Sequence, residues 1–436
     1  MKKQSNGPDA TAAERARTDS RRNDWSRCAC KEFLPQLIDV CSDAREANPV
    51  NLRYFGVAAC GGSAFIDMYA TQPLLPELRL TFHSSEAAVS STISVLTFSC
   101  ALVAPFVGPI ADRIGRKRII VSSIVLLALV TLLSATARTL PVLLVWRFLQ
   151  GLLMPGIFAV TLAYIAEEFP PEVGGRAIGA YIGGNVLGGF LGRYVCAVVA
   201  SRSDWQTAFV VLAALNLVGA AIVFIALPRA RHFKLSERVS FHMLGQFLRN
   251  PVLLATYAIG GSILFTLVAA FTYATFLLAA PPFSLGLVAL GNVFFVYLAG
   301  VVATPLAGLL IDRFGHKFTL LLAIGASAIG IGVTLLGSVT SVIVGLAIMA
   351  TAVFCAQASS QGYIGVIVSA HRTTAASLYI SAYYFAGGLG AIVPAVVWSR
   401  GGWPATVALI VVVQIVAALL VVTVWPKYRA RTAQTV

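Results

Sequence analysis

Two ionisable residues interrupt apolar runs in which charge is costly. Asp67 stands inside GSAFIDMYATQPLL and Arg147 inside LLVWRFLQGLL. A charged side chain within a membrane span costs at least a few kcal/mol, so it is normally paired or faces water. An acid at that depth that takes up and gives up a proton can carry it across the midplane, which is the chemistry of proton-coupled transport. An acid fixed beside an arginine only joins two helices. Both readings of Asp67 with Arg147 stay open on the sequence. Asp67 lies nine residues before Pro76, roughly 13 Å at about 1.5 Å per residue. Arg147 lies six residues after Pro141, roughly 9 Å by the same rise. No other acid is as deep: Asp112 and Asp312 fall at helix ends, Glu77 and Glu86 at one rim, Glu167 and Glu168 at the other.

Further polar groups could line a substrate cavity. Arg193 follows the glycine-rich GAYIGGNVLGGFLG, which also holds Asn185, and sits at about the depth of Arg147 by helical rise. It either faces the same cavity or snorkels to the surface. Towards the C-terminus the candidates are Asn292, Tyr297, Gln357, Tyr379, Tyr383 and Tyr384. No catalytic set accompanies them. There is no phosphate-binding Gly-x-x-x-x-Gly-Lys-Ser/Thr, and no pair of histidines has metal-ligand spacing. The seven cysteines show no repeated spacing, and buried thiols such as Cys100 and Cys355 read as small core residues. The chain is therefore expected to be no enzyme, to hold no metal or cofactor, and to draw on a proton gradient.

The elements that position these residues are membrane helices. Of 436 residues, 58% are hydrophobic and 11% charged, whereas soluble domains are near one-quarter charged. Lipid must solvate part of such a chain. The net charge of +14 does not indicate nucleic acid, because the Lys and Arg sit in short loops and in the N-terminal tail. Apolar runs of about 20 residues, the length that spans a bilayer as helix, are read near 54–76, 87–110, 119–137, 141–166, 175–199, 206–227, 252–279, 287–311, 318–337, 341–366, 374–398 and 404–426. Residues 1–52 read as a disordered tail, with a weak amphipathic stretch at 33–41. Basic residues concentrate in alternate loops, including Arg113, Arg116, Lys117, Arg118, Arg313 and Lys317, while the other set holds only Arg79, Arg138, Arg202 and Arg400. The positive-inside rule then places both termini in the cytoplasm.

The chain repeats itself. GPIADRIGRKR, Gly108 to Arg118, recurs as GLLIDRFGHKF, Gly308 to Phe318, and Trp205 and Trp403 open the last helix of each copy. This gives an N-terminal six-helix half at 53–227, a cytoplasmic linker at 228–250, a C-terminal half at 251–426 and a tail at 427–436. Parallel repeats place a substrate site near the midplane between halves. Gly115 can supply a sharp turn with positive φ, and Gly108 is expected to let a neighbouring helix approach closely. Asp112, at a helix C-terminus, opposes its own helix dipole and needs a cationic partner or another helix's N-terminus.

The 108–118 segment resembles the loop between helices two and three of the major facilitator superfamily. It carries the family's Gly-x-x-x-Asp-Arg-x-Gly-Arg-Arg/Lys pattern in Gly108, Asp112, Arg113, Gly115, Arg116 and Lys117. RFLQG, Arg147 to Gly151, is similar to the family's Arg-x-x-x-Gly motif, and DMYATQPLLPEL, Asp67 to Leu78, resembles the first helix of the YnfM-like branch of bacterial exporters. The resemblance covers about residues 54–426. It implies an all-α membrane protein of twelve transmembrane helices in two pseudo-symmetric six-helix halves. It also implies a cytoplasmic gate at Gly108, Asp112, Arg113, Gly115 and Arg116, echoed by Asp312 and Arg313. A topology-anchoring role for the basic residues stays open beside the gate. The glycines at 179–192 resemble the antiporter signature of drug exporters but lack its proline, and ordinary close packing explains them equally well.

The sequence thus points to alternating-access transport of a small organic molecule in the bacterial inner membrane. Proton-coupled efflux of a drug or aromatic metabolite is the leading expectation, with protons, substrate and lipid as partners and a monomer as the working unit. An importer or passive facilitator, and a transporter-shaped ligand sensor, are the alternatives. An aromatic monoanion becomes the favoured substrate if Arg193 faces the cavity.

Overall fold

The computed structural model describes residues 49–228, 247–368 and 372–425. The expected surface helix at 33–41, most of the tail and linker, and the last eleven residues lie outside these. Residues 1–52 and 53–436 separate into two units.

Among the described residues every element is helical, as lipid demands of a backbone that must satisfy its own polar groups. The first is α1, Pro49–Met68, followed by a 3₁₀ turn at Gln72–Leu74 and the short α2, Leu75–Thr81. The expected continuous span to Pro76 is therefore broken. Pro73 and Pro76 stand in the first turns of the two segments that follow, where their missing N–H does no harm but the preceding helix cannot continue. The same rule divides the second span at Pro105 into α3, Glu86–Val103, and α4, Val107–Ile114. It divides the fourth at Pro155 into α6, Leu140–Leu153, and α7, Pro155–Glu168, with α5, Arg116–Ser134, between the two. Then follow α8, Pro171–Arg202, α9, Trp205–Ala226, α10, Pro251–Ala279, and α11, Leu287–Val293. A 3₁₀ turn, Phe294–Leu298, leads into α12, Ala299–Val333, and the series closes with α13, Val339–Ile367, α14, Arg372–Ile392, and α15, Pro394–Val424.

Nine runs among the described residues are long and apolar enough to cross a membrane, and two of them, Leu287–Leu336 and Thr374–Val424, are 50 and 51 residues long. Each long run is bent inside by a glycine at positive φ, Gly315 at 80° and Gly402 at 56°. With those two bends and α1, the set accommodates the twelve expected segments. Gly115, φ 101°, makes the expected turn between α4 and α5.

The sequence repeat is a structural one. Lys117 Nζ donates to the carbonyl of Phe224 at 2.7 Å, at the end of α9, and Lys317 Nζ donates to those of Val422 and Trp425, at the end of α15. Each lysine satisfies carbonyls left orphaned at a helix C-terminus. At the opposite end Asp204 caps α9, and the bond from the Thr207 backbone N–H holds its exposed carboxyl below the usual carboxylate range. We refer to these as the Gly115 end and the Trp205 end.

Two helices that carry candidate site residues are joined by glycines. A Cβ on Gly184, Gly188 or Gly192 of α8 would fall on the backbone of Ala58, Gly62 or Ile66 of α1. The four-residue spacing keeps all three on one face. These glycines are thus close-packing residues, and they seat Asp67 and Arg193 at matching heights. Gly179, on the same helix, has nothing within 4 Å. Nor has Gly108, so the close helix approach expected there is absent: its α4 face is open. Gly188→Val should cost at least the 1–3 kcal/mol or so of an overpacked core, because the clash is with backbone. Detergent-solubilised Gly188→Val should lose its monodisperse peak and unfold at lower temperature, while Gly179→Ala behaves as the parent. Equal behaviour of the two would remove the packing role.

Candidate functional site

Four helices of the first half converge on Asp67. Thr131 Oγ1, from α5, donates to Asp67 Oδ2 at 2.8 Å, and Asn216 Nδ2, from α9, donates to the same oxygen at 2.6 Å. Arg147, from α6, does not reach the carboxylate. Its Nη1 donates to the backbone carbonyl of Asp67 and to Gln150 Oε1, both at 2.9 Å, and its guanidinium lies 5.3 Å from the Phe209 ring centroid. Gln150 Nε2 donates back to Thr131 Oγ1 at 2.9 Å, which closes a ring. An Asp67–Arg147 ion pair, one of the two readings open on the sequence, is therefore not formed within 4 Å: Gln150, one turn along the same helix, captures the guanidinium instead. All five side chains are fully buried. Asp67 Oδ1 and Asn216 Oδ1 have no hydrogen-bond donor, and Arg147 Nε and Nη2 have no acceptor. Buried polar atoms are nearly always satisfied, so this cluster of idle acceptors and donors marks a place where a proton or small polar species could be held.

Asp67 points away from the cavity between the halves. Residues two apart on a helix project about 200° apart, and it is Phe65 and Tyr69, on either side of Asp67, that line that cavity. Its volume is about 360 Å³, at the small end of the ~300–1,000 Å³ usual for small-molecule sites. Asn185, Arg193, Gln357 and Tyr383 line it as expected, together with Tyr297, Tyr379, Tyr384 and Gln361; Arg147 does not. Asn292 is exposed on α11 and lies outside the lining, a correction to its assignment. Along α8 the lining runs from Arg193 to Ile178, towards the Gly115 end, a rise of about 22 Å.

Arg193 is the one Lys, Arg, Asp or Glu among the described lining residues, and it is 1% exposed. It does not snorkel. Its Nε donates to Gln72 Oε1 at 2.7 Å, Nη1 to the Gly189 carbonyl at 2.5 Å and Nη2 to Tyr297 OH at 3.2 Å. The rings of Tyr297, Tyr69 and Phe294 surround its guanidinium with centroids at 4.2, 4.9 and 5.0 Å. Gln72 Nε2 in turn donates to Thr272 Oγ1 at 3.2 Å on α10. Among the described residues no carboxylate lies within ion-pair distance of Arg193. Around it and towards the Trp205 end the halves touch: Ser94 Oγ of α3 donates to the Gly388 carbonyl of α14 at 2.7 Å, Phe190 meets Phe295 with centroids 4.5 Å apart, and a Cβ on Gly291 of α11 would fall on Ala197 of α8.

At the Gly115 end, Arg116 is the centre of the candidate gate. It forks onto both oxygens of Glu167 on α7 and lies 3.3 Å from Asp112 Oδ1. Asp112 thus has the cationic partner its position requires. Arg113 is exposed, as are Asp312 and Arg313 in the second copy, where Arg313 rests 5.2 Å from the Phe314 ring. His316 replaces Arg116 there and contacts the Ser359 carbonyl at 3.0 Å, and among the described residues the second copy holds no equivalent buried ion pair.

Sequence reasoning missed Gln72, Thr131 and Asn216. Each is a polar residue inside an apolar run, which is the signal that found Asp67, but uncharged groups are too common in such helices for that signal to single them out.

A family model described as the Major Facilitator Superfamily matches residues 57–296 and 266–435. An uncharacterised transporter of Buchnera aphidicola is 29% identical over 363 residues, 83% of this chain and 88% of its own length. The inner membrane transport protein YnfM of Escherichia coli is 28% identical over 365 residues, again 83% and 88%. Among solved structures, a bacterial homologue of the human lysosomal transporter Spinster superposes with a TM-score of 0.71 at 17% identity, covering 86% of this chain and 97% of that one.

Proposed function

The chain belongs to the major facilitator superfamily, and from that membership we propose that it is a proton-coupled secondary transporter exporting a small aromatic organic molecule by alternating access. It is a multi-pass membrane transporter; the coupling, direction and substrate are our reading. One observation carries it: an aromatic cavity between the halves with Arg193 as the one cation among its described lining residues. Six tyrosines and three phenylalanines line it, so a flat, largely apolar ring is the natural guest. A multiply charged solute such as a sugar phosphate would need more than one cation to offset its desolvation. Free sugars would need more hydrogen-bonding side chains than the lining offers.

The Gly115 end is assigned to the cytoplasm by its basic residues, so the cavity of this conformation reaches towards the cytoplasmic side, where an exporter collects its cargo. Asp67 is assigned to the proton. Its charge is met by two neutral donors and no ion pair, and an unpaired buried charge is expensive. Protonation removes that charge without dismantling the ring. Substrate and proton then occupy adjacent sites on opposite faces of α1, and movement of α1 couples them.

The test is transport in proteoliposomes, across neutral, cationic and anionic aromatic compounds, with and without an imposed pH gradient. Accumulation of an aromatic neutral or monoanionic compound only with the gradient is the expected result. Protection or transport confined to multivalent cations would overturn the reading, since the wall of the cavity is itself cationic.

A further inference from the structure

Arg193 has five N–H donors, and its contacts show which of them the protein consumes. Nε is taken by Gln72, which is fully buried and does not line the cavity. Nη1 and Nη2 are taken once each, by Gly189 and Tyr297, and both of those residues do line it. Each of these nitrogens carries a second N–H. The guanidinium is therefore pinned at Nε by a residue outside the lining, and one N–H on each of Nη1 and Nη2 is left over among the described residues. Those two donors match the two oxygens of a carboxylate. Tyr297 OH accepts from Nη2, so its own proton is left to donate to the same guest.

We propose that Arg193 and Tyr297, with Gln72 as the positioning residue, form a carboxylate subsite for an aromatic monocarboxylate, assembled only while the Trp205 end is closed. The proposal rests on the reading of this cavity as the substrate site and names the substrate class. Arg193 and Gln72 belong to the first half, Tyr297 and Thr272 to the second. Separation of the halves at the Trp205 end breaks the Arg193–Tyr297 and Gln72–Thr272 bonds together. Arg193 then loses the phenol that shares the anion and two of the rings that exclude water from it. Affinity falls as that end opens, and a ligand shifts a two-state equilibrium only by its difference in affinity between the states. A carboxylate thus holds the protein with the Trp205 end closed and leaves readily once that end opens, while the direction of net movement is set by the gradient that drives the cycle.

The probes are benzoate and its neutral isostere benzamide, on full-length protein in lipid nanodiscs. Benzoate should bind and benzamide should bind at least about tenfold more weakly, the effect of a charge-assisted bond. Arg193→Gln should abolish the difference. Gln72→Ala and Tyr297→Phe should each weaken benzoate by about tenfold and leave benzamide unchanged, with unfolding temperatures near the parent's. Gln72→Glu should abolish benzoate binding by supplying its own carboxylate to Arg193. In a Ser94→Cys protein, benzoate should slow alkylation from the Trp205 side. Faster alkylation with benzoate, or equal loss of benzoate and benzamide in Gln72→Ala, overturns the assembled subsite. If neither probe binds while neutral aromatics are still transported against the gradient, the carboxylate class falls and the transporter reading stands. If no aromatic compound binds or moves, the cavity is not the substrate site and both fall.

Discussion

Asp67→Asn should abolish gradient-driven accumulation while leaving substrate exchange across the membrane measurable. The side chain keeps its shape. Its amide oxygen can accept the bonds from Thr131 and Asn216 that Asp67 Oδ2 accepts at 2.8 and 2.6 Å, and its NH₂ takes the place of Oδ1, which has no donor now. No contact ion pair is broken and Arg147 keeps its bonds to the carbonyl of residue 67 and to Gln150, so the variant should still fold, at a cost of about 1–3 kcal/mol for the charge left on Arg147. What is lost is the proton. A transporter that cannot bind one still rocks with substrate aboard, so counterflow of labelled against unlabelled substrate continues, and imposed pH gradients stop mattering. Concentration of substrate by the mutant at the parent's rate would move the proton site elsewhere. Failure of the mutant to fold would instead make the ring structural. Arg147→Gln should be far more damaging to folding than Asp67→Asn. It deprives the Asp67 carbonyl and Gln150 of their donor and leaves the carboxylate as the one formal charge of the ring.

The sequence located depth and left direction open. Helical rise put Asp67, Arg147 and Arg193 at matching heights, and the glycines that hold α1 to α8 at those heights were visible as a motif. Which way each side chain turns about its helix is decided by packing. That is why Asp67 and Arg147, expected in the cavity, face a ring inside the first half, and why Asn292, expected inward, is exposed. Arg193 was ambiguous for the same reason. Its guanidinium is held in part by Gln72, which stands in the 3₁₀ turn where Pro73 and Pro76 break the first span beyond Asp67. The gate loop was the more legible part, because a turn residue and a helix-end charge make local demands. Gly115 and Gly315 adopt positive φ, and Lys117 and Lys317 cap the ends of α9 and α15, whichever half they stand in. Even there, Glu167 was read as a rim residue, since its tie to Arg116 spans 51 positions of sequence.

That tie sets up the other large effect. Arg116 is 5% exposed at its side chain, Asp112 6% and Glu167 12%, so the three charges share one nearly dry site at the junction of α4, α5 and α7. Among the described residues the cluster carries one positive and two negative charges. Removing the positive one leaves two carboxylates confined together, whereas removing Glu167 leaves a matched pair. Breaking a buried pair by deleting one partner costs about 3–5 kcal/mol, and like-charge repulsion adds to it here. Arg116→Gln should therefore abolish folded protein in the membrane or lower its unfolding temperature sharply, and Glu167→Gln should do so much less. The double variant Arg116→Gln with Glu167→Gln should recover most of the loss, because it removes the second carboxylate, leaving Asp112 beside two neutral amides. Transport need not recover with it. If the loop also locks the cytoplasmic ends when the Trp205 end opens, the double variant folds but exchanges substrate slowly, and alkylation of Ser94→Cys from the Trp205 side falls. Recovery of stability and exchange together would reduce the cluster to a staple among three helices. No recovery of stability in the double variant would show that Arg116 is held by its shape and not by its charge.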